Sequence, residues 1–419
     1  MRKIYISCPA TSRSGYGDHS RDLIRSFIEI DNSQVTIIDQ KWGDCPQNAL
    51  TAKDIDISSR ISQDGKIKEK PDIWVQITVP NEFQPIGKFN IGITAGMETT
   101  MVSPEWIDGM NKMDLNIVPS KHSKAVFENT VYDKHDKRTN QKVGTLKVEK
   151  PIEVVFEGSD LEVYKKTQDI PETIKKAFSN VKEDFCFLTV GHWLQGDFGH
   201  DRKDLGTTIR LFCETFKKKG NKKPALILKT SAAGFSITDK EEMKRKINAV
   251  LKACNYSCNV YLLHGDLTDE EMNGLYNHPK VKAMLSMTHG EGYGRPLQEF
   301  SITGKPTIAS NWSGQTDFLS EYGLMLAGEL KQVHQSAVWD KVILKESKWF
   351  YADINYTSAV ISDVFKNYKK HLERTRKQTK YIKDNFSLAA MNDKLKEVIE
   401  RNYNIPEKVE LNLPKLEKI

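Results

Sequence analysis

Two carboxylates, Glu291 and Glu299, flank a glycine-rich turn in the segment Glu291-Gly-Tyr-Gly-Arg-Pro-Leu-Gln-Glu299. The apolar run Val281-Lys-Ala-Met-Leu-Ser-Met287 precedes it, and Pro306-Thr-Ile-Ala309 follows. That order predicts strand, tight turn, helix N-terminus and next strand, a geometry that presents backbone N–H groups to a phosphate. Carboxylates on both sides of such a turn suit hydroxyl groups, those of a sugar on one side and of a ribose on the other.

Other segments carry groups that would complement this chemistry. Arg202 and Lys203 lie in Asp201-Arg-Lys-Asp-Leu205, shortly after Thr189-Val-Gly-His-Trp193. A strand ending at Gly191 would lead into this basic pair, which either neutralises a diphosphate or is a helix-start pair at the surface. Lys229 ends the run Ala225-Leu-Ile-Leu228. A lysine at the carboxyl end of a parallel strand faces the ligand crevice, and a solvent-exposed strand-end lysine is an equal reading. In Ser14-Gly-Tyr-Gly-Asp-His19, Gly15 and Gly17 let the backbone approach a ligand closely and open a helix. Asp18 and His19 also read as plain helix-start residues, and no sequence feature fixes a partner for His19 as a general base. Glu98 closes Thr94-Ala-Gly-Met-Glu98 after a further apolar run, and Ser120 reads as a cleft-lining turn or a helix cap.

These groups need a scaffold. The chain of 419 residues is long enough for two domains of about 150–200 residues, each with its own core. Hydrophobic residues at 38% and charged residues at 28% describe an ordinary folded protein and exclude a disordered or membrane class. No apolar run approaches the ~18 residues that cross a bilayer. The N-terminus breaks after a few apolar residues, so it reads as a first strand and not a signal peptide, and the expected location is cytoplasmic. Cys8, Cys45, Cys186, Cys213, Cys254 and Cys258 are scattered and read as reduced thiols, not a zinc set. A net charge of +6 permits a polyanionic partner without demanding one. Basic residues gather at 217–223 and 366–383, which read first as solvated loops and a helix face.

Short β-branched runs predict strands at 4–7, 35–38, 73–78, 90–93, 115–118 and 153–156, then at 185–190, 225–228, 260–263, 281–287 and 307–309. Nearly continuous apolar strands between amphipathic helices imply α/β architecture with parallel sheets covered on both faces. Thr238-Asp-Lys-Glu241 and Thr268-Asp-Glu-Glu271 are capping-box patterns that open two of the helices. The strand series changes near Glu157-Gly-Ser-Asp160, which places an N-terminal Rossmann-like domain at 1–160 and a second at 161–383. The polar stretch 132–150 reads as a surface loop or hairpin. From Asp384 to Tyr403, Leu388, Met391, Leu395 and Val398 recur at helical spacing.

The segment 291–299, with its flanking strand, Pro296 and the downstream Gly304-Lys-Pro306, resembles the nucleotide-sugar motif of retaining GT-B glycosyltransferases of family 4. The resemblance implies two Rossmann-like domains facing across a cleft, with the helix from 384 onward crossing back to the N-terminal domain. It implies Glu291 as a sugar ligand, Gly292, Tyr293, Gly294, Arg295, Pro296 and Leu297 as an amide cradle, and Glu299 on the ribose. Arg295 replaces the commoner apolar residue and brings charge near phosphate or acceptor. Lys203 aligns with the family lysine. His192 stands where the family often has arginine, so Arg202 is the expected substitute. Gly15, Gly17, Gly191 and Lys229 join the donor site, and Glu98 contacts donor or acceptor sugar. The implied reaction transfers a sugar from a UDP-sugar to a hydroxyl with retention. The leaving phosphate takes the acceptor proton, and basic side chains replace a divalent metal. Ser14-Gly-Tyr-Gly17 and Asn311-Trp-Ser-Gly314 further resemble glycosyltransferases of large tailed bacteriophages. Their acceptors include hydroxymethylated pyrimidines in DNA, which makes DNA the first expected acceptor and the host cytoplasm the location. Glycan, lipid-linked and protein acceptors are the alternatives, as is a non-catalytic nucleotide-sugar-binding protein.

Overall fold

The computed structural model describes residues 2–30, 34–136, 138–217, 223–232, 234–254 and 259–403. Cys258, residues 218–222 of the first basic run and the tail 404–419 lie outside the described residues.

Among the described residues the N-terminal half holds β1 (Lys3–Cys8), β2 (Gln34–Asp39), β3 (Ile73–Ile77), β4 (Phe89–Ile93), β5 (Leu115–Val118), β6 (Tyr132–His135), β7 (Lys142–Leu146) and β8 (Ile152–Val154). Six of them form a parallel sheet in the order β2-β1-β3-β4-β5-β8. The second half holds β9 (Cys186–Val190), β10 (Ala225–Lys229), β11 (Val260–Leu263), β12 (Val281–Ser286), β13 (Thr307–Ser310), β14 (Leu324–Leu326), β15 (Gly328–Gln332) and β16 (Lys348–Ala352). Here the parallel order is β11-β10-β9-β12-β13-β14. Two Rossmann-like domains result, as the alternation of apolar runs and helices requires.

Both faces of each sheet are packed, and the two-residue strand period explains how. Ile4, Ile6 and Cys8 enter one core cluster while Tyr5 enters the opposite one. In the second sheet Leu226 and Leu228 face one cluster, Ala225 and Ile227 the other. Helix Leu388–Asn402 buries Met391, Leu395, Val398 and Ile399 in the cluster that holds β1 and β3 of the first sheet. It does not begin at Asp384. Helix Tyr368–Asn385 ends first, and Ser387 caps the new one by accepting from the Ala390 N–H. The join is fixed beside Gly158-Ser159, where Ser159 N–H donates to Phe386 O and Leu388 N–H to Ser159 O.

Thr268 forms the full capping box with Glu271. Thr238 does not: helix Ile237–Cys254 starts earlier, and Ser236 Oγ accepts the Asp239 N–H at 3.0 Å. Ser236, two residues upstream of Thr238, offers the same cap, so the earlier start wins. Within the stretch read as a loop or hairpin, strands β6 and β7 pair antiparallel. Strand β14 and the antiparallel pair β15–β16 were not expected; β15 is exposed and charged, without a run of apolar residues to reveal it. Cys8, Cys45, Cys186 and Cys254 are free thiols, whereas Cys213, read as reduced, is disulfide-bonded.

Candidate active site

In the second sheet, the chain leaves β9 toward β10 and β11 on one side and reaches β12, β13 and β14 on the other. Such a reversal is where open α/β sheets place a ligand crevice, at the carboxyl ends of β9 and β12. Gly191 follows β9, Lys229 ends β10, and Glu291 follows β12 after a short turn. The parallel geometry therefore gathers residues far apart in sequence at one edge.

Glu291 is the centre of the gathering. Its Oε1 accepts from Lys203 Nζ at 2.5 Å and its Oε2 from Arg202 Nη1 at 2.9 Å. Arg202 Nη1 also donates to Gly290 O and stands 3.8 Å from Glu98 Oε1 of the other domain. Burial opposes the Glu291 charge, but the two cations overcome it and hold the carboxyl near 2. Glu98 is pushed up instead, by burial and the proximity of Glu291, with Arg202 pulling the other way. His192 is lowered to about 4 by burial and by the charges of Lys203, Arg202 and Lys229. One edge of the cleft thus concentrates cationic side chains around a single carboxylate, an arrangement suited to an anionic ligand. Gly191, at φ +155, lies against the lysine: a Cβ there would fall 2.8 Å from Lys203 Cε.

Lys229 belongs to the same edge but is turned aside. Its Nζ donates to Gly265 O at 2.8 Å and lies 5.3 Å from the Phe235 ring centre. The turn after Glu291 is fixed by Ser313, whose Oγ accepts the Glu291 N–H, and by Gly294 at φ +103, which starts helix Arg295–Ser301. Pro296 occupies the first turn of that helix, where no N–H is needed. Tyr293 and Leu297 point their side chains into the domain core, so only their backbone could serve a ligand.

The opposite wall comes from the N-terminal domain and touches this turn directly. Ser120 Oγ donates to Gly292 O at 2.7 Å, and Lys121 N–H to Asp317 Oδ2 at 2.9 Å. A Cβ on Gly292 would lie 2.1 Å from Ala95 O, and one on Gly290 2.1 Å from Glu98 O. Gly15 and Gly17 open helix Gly15–Ile30, and Gly17 packs against the carbonyl of Ser12. Between them Tyr16 reaches across to Thr94 Oγ1 and accepts the Ala95 N–H. His19 is buried on this helix with Nδ1 unpartnered.

Arg295 and Glu299 form a second charged group. Arg295 Nε donates to Glu299 Oε1 at 3.0 Å and its Nη1 to Asp22 Oδ2 at 2.7 Å, while Tyr276 donates to Glu299 Oε2. Arg295 therefore bridges the domains and stands apart from Lys203 and Arg202, which pair with Glu291. Asp22, Tyr276 and Ser313 were missed in sequence. Asp22 and Tyr276 lie on helices far from the motif, and Ser313 carried a signal only as part of Asn311-Trp-Ser-Gly314. Asp54 and Asp56, spaced as a metal-binding Asp-x-Asp pair would be, both bind Arg25. Among the described residues no helix is long and apolar enough to cross a membrane.

No protein-family model matches the sequence, and no curated protein matches it. The fold has solved counterparts. A glycosyltransferase from Rickettsia africae superposes with a TM-score of 0.62 at 13% identity, over 95% of this chain and 98% of that one. HepE from Anabaena, solved with UDP and glucose, gives 0.58 at 12% identity, over 96% and 100%. Sucrose-phosphate synthase from Thermosynechococcus elongatus gives 0.59 at 12%, over 96% and 99%. At such identities the likeness is one of fold, and that fold is GT-B.

Proposed function

We propose that this chain is a retaining glycosyltransferase that moves a sugar from a UDP-sugar to a hydroxyl of a hydroxymethylated pyrimidine in DNA. The observation that carries the transferase reading is Glu291, held ionised between Lys203 and Arg202 at the switch point of the second sheet. The UDP-glucose complex of HepE supports the choice of donor. In this reading the donor diphosphate draws Lys203 and Arg202 into partial neutralisation, and Glu291 turns to sugar hydroxyls. Glu299 takes the ribose, and the backbone from Gly292 to Leu297 lies along the diphosphate, with Gly15, Gly17 and Gly191 giving close approach. The acceptor oxygen bonds to the anomeric carbon as the bond to the phosphate oxygen breaks, and the acceptor proton passes to that oxygen. Before the donor binds, Glu291 is tied to two cations and is not a free carboxylate, which supports this route over a covalent sugar–enzyme intermediate. Each well-placed cation contributes about 3–4 kcal/mol to leaving-group stabilisation.

A polyanionic acceptor is supported by helix Tyr368–Asn385. It buries Thr375, Gln378 and Ile382 and exposes Lys369, Lys370, Arg376, Lys377, Lys380 and Lys383. The exposed face lacks the apolar side chains that membrane insertion needs. Domain limits at 1–160, 161–383 and 384 onward, a bacteriophage origin and a host-cytoplasmic location belong to the same reading.

The test is to incubate the protein with a panel of nucleotide sugars and DNA containing hydroxymethylcytosine, beside unmodified DNA. Nucleosides from the digested DNA are then weighed. A sugar-sized increase on modified DNA alone supports the full proposal, and the anomeric configuration of the product decides retention. Nucleotide release without an increase removes DNA as acceptor, and no release with any donor removes the transferase.

A further inference from the structure

Directly behind the Arg202–Lys203 turn lies a fully buried histidine whose two ring nitrogens both face carbonyl oxygens. His289 Nδ1 is 2.6 Å from Phe350 O, and Nε2 is 3.2 Å from Gly199 O. A neutral imidazole has one N–H and one bare lone pair, so it can satisfy only one of these carbonyls. A lone pair facing a carbonyl in a fully buried site is costly. The charged ring donates to both. Asp204 Oδ2 stands 3.9 Å from Nε2 and Asp201 acts on the same ring, although burial raises both carboxyls, Asp204 to about 7 and Asp201 to about 6. Two aromatic rings of β16 cover the imidazole, Trp349 with centres 4.8 Å apart and Tyr351 at 4.2 Å, and such rings favour a cation. Burial outweighs these contacts and draws the ring below its ordinary value; against that stands the geometry, in which both ring nitrogens face a carbonyl oxygen.

The backbone around the ring shows what it fixes. His289 N–H donates to Arg202 O at 2.8 Å, Phe350 N–H donates to His289 O, and Thr288 Oγ1 donates to Arg202 O. Three segments therefore meet at one side chain: the 199–204 turn with Arg202 and Lys203, the 288–291 loop with Glu291, and β16. Asp204, in the left-handed region at φ +49, closes the turn and keeps Oδ1 unpartnered. We propose that His289 is a doubly protonated positioning residue that fixes the Arg202–Lys203 turn against Glu291. Its effect on ligand binding rests on the donor-site reading above; its protonation state does not. The groups that face the ring and titrate with it are Asp201 and Asp204 on the turn, His200 beside them, and Tyr351 on β16.

Two measurements on the full chain test this. The first is nitrogen NMR of histidine-labelled wild-type protein, with His289→Gln used to assign the signal. Two protonated ring nitrogens at neutral pH support the proposal, and one bare nitrogen overturns it. The second is the pH dependence of UDP binding by calorimetry. Wild-type affinity is expected to fall about tenfold as the ring loses its proton, whereas folded His289→Gln binds weakly with no such pH dependence. Unchanged affinity in folded His289→Gln overturns the positioning role. If wild type binds no UDP at all, the donor-site reading fails, and the NMR result alone decides the charge on His289.

Discussion

Asp22 of helix Gly15–Ile30 and Arg295 of helix Arg295–Ser301 form an ion pair at 2.7 Å that joins the two domains across the cleft. The same guanidinium donates to Glu299, so one cation serves carboxylates from both walls. Removing one member of a buried pair leaves the other without compensation and costs about 3–5 kcal/mol. Arg295→Met is therefore expected to lower the unfolding free energy by about that amount at neutral pH, read by urea titration. Adding Asp22→Asn should restore part of the loss, because one orphaned carboxylate is then gone. A double variant no more stable than Arg295→Met would refute the coupling.

The acids around this guanidinium also set the pH dependence of stability. Burial pushes Glu299 up to about 8 against the pull of Arg295, and burial raises Glu157 to about 7. Both exceed the unfolded value of about 4.3, so the folded state binds more protons in between, and stability falls as pH rises through that window. Glu291 behaves oppositely: held near 2, it stabilises fully above its unfolded pKa and loses that contribution as pH falls toward 2. Denaturant titrations across pH should show Glu299→Gln flattening the decline between about pH 4.3 and 8. Glu291→Gln should flatten the acid side. If Glu299→Gln leaves the upper limb unchanged, its carboxyl is not held as described.

Kinetics should separate the two glutamates. In the proposed reaction Glu291 gathers the cations that act on the leaving group, so Glu291→Ala is expected to reduce kcat about 100- to 1,000-fold. Glu299→Ala should mainly raise the donor KM, because its contacts lie with the Arg295 group away from Lys203. Equal, unimpaired kinetics in a nucleotide-release assay would end the assignment of both.

The apolar runs made the sheets legible, because a strand buried on both faces has little freedom in composition. Leu115–Val118 and Val260–Leu263 fall where they were expected. Strand β15 escaped because its residues are all exposed, and the break at Phe386–Ser387 escaped because Leu388 and Met391 continue the helical spacing beyond it. At the candidate site, Glu291, Arg202 and Lys203 were singled out by type and position, and the fold brings them within hydrogen-bonding reach. The pairing of Arg295 with Asp22 could not, since it depends on how two domains close, which no local spacing encodes.

That closure has a narrow steric requirement at Gly292. Its backbone is not in the left-handed region, so alanine costs no local strain; the whole penalty comes from Ala95 O, 2.1 Å from the added Cβ. Overpacking of this kind typically costs 1–3 kcal/mol, and here the domains can escape it by separating. Gly292→Ala is therefore expected to keep both domains folded, enlarge the radius of gyration in X-ray scattering, and slow turnover by about tenfold or more. Gly144→Ala in the β6–β7 hairpin, where an added Cβ meets nothing within 4 Å, is the control and should change neither. A Gly292→Ala protein with wild-type dimensions and turnover would mean that the contact between Ala95 and Gly292 is dispensable to the closed cleft.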